Sequence, residues 1–224
     1  MTRRDRDGLA RRWAGATLLG EAAGFAVPGA AGAVAFALDA PDAVLVLVLV
    51  AAGAAEGAVL GFAQSRVLPG ALPALQPRDW VRATVIAAAL AWAGGMTVGS
   101  QWERIEDVAG WLPVVAMAVV GTGIVLSIGT AQWLVLRPHL ANAAWWIPAN
   151  AVAWLLGVSL VIGGMSVMTE DTPAVVMGLV AGACGVGMAA TVAVVTGIAL
   201  ARLLEAEEES RLRHECRSFS TSRP

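Results

Sequence analysis

Charge is scarce in this chain and lysine is missing altogether: Asp, Glu and Arg make up 14% of 224 residues, and all fifteen basic residues are arginine. With 58% of the residues hydrophobic and a mean hydropathy of +0.70, a soluble fold of this length would lack the polar side chains to cover its surface. Lipid is the natural solvent. There are two cysteines, Cys184 in an apolar run and Cys216 near the end, and they offer neither a structural disulfide nor a metal-binding spacing. His139 and His214 are the only imidazoles. No Ser-His-Asp set, His-Glu-x-x-His pair or phosphate-binding glycine loop accompanies them. The chain therefore reads as a non-enzyme that calls for no cofactor and no metal.

What is present is length of apolar sequence. A helix needs about 20 apolar residues to cross the hydrocarbon core, and six stretches qualify: 14–38, 43–63, 81–99, 112–136, 144–168 and 174–200. The expectation is an all-α fold, a six-helix transmembrane bundle. It divides into a basic arm over 1–12, a membrane domain over 13–200 and a charged tail over 201–224. Arg104 apart, every arginine falls before the first span, between the second and third or, for Arg82, at the first turn of the third, between the fourth and fifth, or after the sixth. Asp39, Asp42, Glu103, Glu106, Asp107, Glu170 and Asp171 lie in the alternate loops. The positive-inside rule then puts both termini in the cytosol, with the chain in the cytoplasmic membrane. Trp13, Trp80, Trp145 and Trp146 at one side, with Trp102 and Trp111 at the other, fit interfacial anchoring. Ala35 and Ala37 have the spacing of a signal cleavage site, but Glu21 inside the apolar segment argues for a retained first span. Since topology accounts for the arginines and the tail mixes both signs, nucleic acid is not an expected partner. The lipid bilayer is.

The spans are related to one another. Gly61, Gly129 and Gly197 recur at 68 residues, as do Gly53, Gly121 and Ala189. In the odd spans Trp13, Thr17 and Glu21 match Trp80, Thr84 and Ala88, then Trp146, Asn150 and Trp154. Three copies of one hairpin are expected, arranged about an axis normal to the membrane. Gly53, Gly57 and Gly61, like Ala189, Ala193 and Gly197, form small-xxx-small steps that let helices approach closely. Pro28-Gly29 predicts a kink or a loosened turn in the first span, and residues 100–111 a short interfacial helix.

Polar residues inside the spans supply the candidate site: Glu21, Glu56, Gln64, Gln132, Asn150, Thr17 and Thr84. Glu21 and Glu56 each fall about 12 Å inside the cytoplasmic boundary, at 1.5 Å per residue. Glu56 and Gln64 lie two steps of four apart, on nearly one helix face. In lipid such groups should face one another, because isolated polar atoms are costly there. Two readings stay open. Either they form an interhelical hydrogen-bond network with the carboxyls bonded to Gln and Asn amides, or the carboxylates mark a proton or cation path. The other two copies have no ionisable residue at these places, which weakens the second reading.

The segment Gln132-Trp133-Leu134-Val135-Leu136-Arg137, followed by Trp145-Trp146-Ile147-Pro148-Ala149-Asn150, resembles a signature of a poorly characterised group of small bacterial multi-pass membrane proteins. The likeness implies topology alone. The sequence therefore favours a membrane protein of interaction or scaffolding type, its acidic-then-basic tail meeting a cytoplasmic protein partner. A small transporter or proton-linked channel using Glu21 and Glu56 is the alternative.

Overall fold

The computed structural model describes residues 3–101, 110–169 and 171–221, with residues 3 and 214–221 as backbone only. Those residues form six long helices and no strand: α1 (Arg3–Ala37), α2 (Asp42–Ser65), α3 (Pro77–Ser100), α4 (Leu112–Leu136), α5 (Trp146–Ser166) and α6 (Ala174–Thr221). All six contain segments long and apolar enough to cross a membrane. The physical reason is that a helix satisfies its own backbone polar groups, which hydrocarbon cannot do. Short 3-10 turns at Leu68–Gly70 and Ala143–Trp145 shape the connections at one end. Asp39 takes a left-handed backbone (φ 47°) in the turn at the other end. The interfacial helix expected over 100–111 falls largely on residues outside the described set.

The helices close into a ring. Each packs mainly against its neighbours in sequence, and α6 packs against α1. Close approach depends on glycine. A Cβ at Gly57 would lie 2.7 Å from Ala88 Cβ and 2.8 Å from the Thr84 carbonyl oxygen. At Gly61 it would lie 3.1 Å from Val81 Cα, at Gly129 2.9 Å from Asn150 Cβ, and at Gly197 3.2 Å from the Ala10 oxygen.

Two of the helices outrun the bilayer. At 1.5 Å per residue the 35 residues of α1 and 48 of α6 exceed the ~30 Å hydrocarbon thickness, α6 by more than twofold. The basic arm is helical over its described residues. From Arg3 onward it is the first part of α1, with Leu9 buried, and Arg6 bridges Glu205 at 3.0 Å and Glu208 at 3.3 Å on α6. The Glu207 carboxylate accepts the Ala141 backbone N–H at 2.9 Å and pairs with Arg211 at 3.1 Å, so the start of the tail is stitched to the bundle. Pro28 is accommodated without ending α1, which runs unbroken through it.

Burial is uneven along the bundle. The end that carries both termini holds the hydrophobic cluster, with Leu9, Leu68, Leu72, Leu75, Leu136, Leu140, Leu200, Leu203 and Leu204 around three tryptophans. Towards the other end Phe36, Leu38, Val114, Val175 and Leu179 are exposed, as a lipid-facing surface requires.

Candidate functional site

Each odd helix turns a stripe of residues four apart toward the ring axis, because steps of four keep nearly one helical face. Trp13, Trp80 and Trp146 form the first tier. They are fully buried and meet edge to face, with ring centroids 5.8, 5.7 and 6.0 Å apart. These three are therefore not interfacial anchors. Trp145 and Trp111 are 70% and 69% exposed, as anchoring would need, and Trp102 lies outside the described residues. An indole N–H in lipid needs an acceptor. Trp13 donates to Thr196 Oγ1 at 2.9 Å, Trp80 to Gln64 Oε1 at 3.0 Å and Trp146 to Gln132 Oε1 at 3.0 Å.

The amides tie this tier to the next. Gln132 Nε2 donates to Gln64 Oε1 and to Thr84 Oγ1, both at 3.1 Å, and Gln64 Nε2 donates to Thr17 Oγ1 at 3.3 Å. Thr84 and Thr196 pass their hydroxyl protons back to the carbonyls of Trp80 and Val192. Asn150 is buried beside them, its Nδ2 donating to the Trp146 carbonyl at 3.2 Å. Tryptophan rings and a bonded polar layer thus fill the axis at this end. We refer to them as the plug.

The glutamates stand apart from that network. Glu21 follows Thr17 on the α1 stripe, and its register partners on α3 and α5 are Ala88 and Trp154. It is fully buried, and neither carboxyl oxygen has a hydrogen-bond partner. Glu56 reaches the same level from α2 and accepts Trp92 Nε1–H at 2.8 Å. The two helices nearly touch here, since a Cβ at Gly24 would lie 3.1 Å from Glu56 Cγ. Of the seven residues singled out in the sequence, Thr17, Gln64, Thr84 and Gln132 are joined by hydrogen bonds, Asn150 lies alongside, and the carboxyls bond to neither Gln nor Asn amides. Thr196 and the three tryptophans were missed. Their signal was the four-residue step itself, which placed each tryptophan on the same face as a buried Thr or Asn.

Beyond the plug the axis opens into a cavity of about 310 Å³. All six helices contribute to its wall, which includes Phe25, Glu56, Ala88, Trp92, Val125 and Trp154. Such a volume suits a small molecule. Glu56 is the ionisable residue in the wall, and none of the described arginines lines it. No group of three or more His, Cys, Asp or Glu that could hold a metal occurs among the described residues. In comparisons with known proteins no family model matches this chain, and no curated protein or solved structure shows significant similarity to it.

Proposed function

We propose that this chain is a small transporter of the cytoplasmic membrane that binds its solute from the non-cytoplasmic side, using the carboxyls of Glu56 and Glu21. One observation carries this reading: the cavity is walled by all six helices, holds Glu56 and stops at the plug. A bundle built only to pack would have no reason to keep an acidic, unfilled space on its axis. With the plug between the cavity and the termini, we place its opening on the opposite side, as alternating access requires of a single conformational state. The orientation rests on the arginines, which gather at the end bearing the termini. The scaffold reading loses ground because Glu205, Glu207 and Glu208 already contact Arg6, Ala141 and Arg211 of the same chain.

We also propose that the ring consists of three hairpin copies. Gly61 abuts Val81 and Thr84 and Gly129 abuts Ile147 and Asn150, at matching places after Trp80 and Trp146, while Gly197, 68 residues on, abuts α1 one turn earlier, at Ala10 and Trp13. Glu21 and Glu56 both belong to the first copy, so function would lie in what departs from the symmetry. The chemical resource is a carboxyl pair able to exchange a proton against a solute charge.

The test uses a chain with Cys184→Ser and Cys216→Ser. Val125→Cys, in the cavity wall, should react with a membrane-impermeant maleimide from the side opposite the termini and not from the terminal side. Proteoliposomes of the Glu21→Gln, Glu56→Gln double variant should retain helix content and monodispersity but lose solute-driven proton flux. Labelling from the terminal side alone would overturn the orientation. Unchanged flux would overturn the role of the carboxyls.

A further inference from the structure

We infer that the solute is a monovalent organic cation with an apolar body, an aromatic or alkyl ammonium, whose charge sits beside Glu56. This rests on the reading of the cavity as a solute site and adds the chemical class of what enters it. Three features of the cavity converge on that class.

The first is its charge. Glu56 has one oxygen held by Trp92, and Glu21, on the same level, has no partner for either oxygen. A carboxylate buried in apolar surroundings is costly unless positive charge meets it, and no described arginine is in the wall to do so. The balancing charge must arrive with the solute or as a proton. Beside the ionised carboxyl an anion would meet like charge with nothing to offset it, and beside the protonated one it would gain no cationic partner.

The second is the nature of the wall. Phe25, Trp92 and Trp154 come from three different helices, and Phe25 and Trp154 meet edge to face with centroids 6.4 Å apart. Aromatic faces attract a cation, most strongly once it has lost its water. The remaining lining is Ala, Gly, Val, Ile and Met. A sugar or a zwitterionic amino acid would enter with hydroxyls or a carboxylate that find no donor there. A bare metal cation fares worse, since hard cations want about six oxygen ligands. The Glu56 carboxyl in a hydrocarbon wall does not supply them.

The third is size. About 310 Å³ is at the small end for ligand pockets and admits one ring with an ammonium head. Trp92 then has two tasks, offering its face to the cation and holding the Glu56 carboxylate through its N–H. Its replacement by Phe separates them.

The experiment uses the purified full chain in lipid nanodiscs and three probes of similar shape: benzyltrimethylammonium, its neutral isostere neopentylbenzene, and benzenesulfonate. Binding is read by calorimetry and by tryptophan fluorescence. The cation should bind at least about tenfold more tightly than the neutral isostere, and the anion should not bind. Glu56→Gln should remove that preference and leave neopentylbenzene binding unchanged. Trp92→Phe should weaken cation binding by a smaller factor. Should Glu56→Gln fail to fold, Trp154→Leu supplies the second arm, because it thins the aromatic wall and should weaken the cation more than the isostere. Equal binding of the cation and the isostere, indifferent to Glu56→Gln, would overturn the cation assignment and leave a solute cavity standing. Failure of all three probes would also overturn the assignment, while the Val125→Cys labelling separately decides whether the cavity opens as proposed.

Discussion

The two halves of this bundle are built from the same six helices and behave as different materials. In the half near the termini, the axis is filled by interlocking indoles, every indole N–H there has an acceptor, and the connecting segments fold in beneath with leucines. In the other half the axis is a cavity, and one carboxyl has no partner at all. Satisfied and unsatisfied polar groups are thus separated along the bundle axis, the trade-off expected if the cavity is the proposed solute site.

The comparison breaks most readily at the plug. Trp80→Ala removes a fully buried indole and leaves Gln64 Oε1 with Gln132 Nε2 as its remaining donor, so a loss of about 3–5 kcal/mol is expected, whereas Trp154→Ala in the cavity wall should cost well under half of that. Unfolding in detergent followed by near-ultraviolet circular dichroism would check the pair, and similar losses at both sites would erase the distinction.

A packing contrast should come next in size. Gly57→Leu drives a side chain into Thr84 and Ala88 and should cost about 1–3 kcal/mol. Gly95→Leu, where an added Cβ meets nothing within 4 Å, should be nearly neutral in stability while narrowing the cavity and weakening solute binding. Thermal denaturation and probe titration separate these outcomes.

Smaller again is the coupling within the polar layer. A double-mutant cycle of Gln64→Leu with Gln132→Leu should show about 0.6 kcal/mol of interaction, the mean for hydrogen bonds between membrane helices, and no more than about 1.7 kcal/mol. A value indistinguishable from zero would mean that the tryptophans alone make the plug.

The least effect is expected outside the membrane. Arg6→Gln removes a partly exposed ion pair with Glu205 and Glu208 and should cost below about 1 kcal/mol, less in high salt. The Ala141 N–H, and after it Arg211, hold the Glu207 carboxyl below its ordinary range. A depressed folded-state pKa contributes stability that is present above the unfolded value and fades as pH falls through the folded one. Tail docking should therefore weaken below about pH 4 and not between pH 6 and 8. Proteolysis of the tail across that range would test it.

Helix number, span positions and the segregation of arginine were legible in the sequence because they follow from local composition, length and the cost of exposing backbone to lipid. The inward stripe of Trp13, Thr17 and Glu21 was legible for the same reason, a four-residue step being a property of one helix. What those stripes would meet was not. Indole is amphipathic and suits a membrane interface as well as a satisfied core, so composition could not tell Trp146, wholly buried, from Trp145 beside it, mostly exposed. Nor could it say that Gln64 would bond to Gln132 across 68 residues while Glu56, two turns away, would turn to Trp92. Those choices belong to the tertiary structure, because which donor lies within 3 Å of which acceptor depends on how six helices close into a ring, and no span carries that information alone.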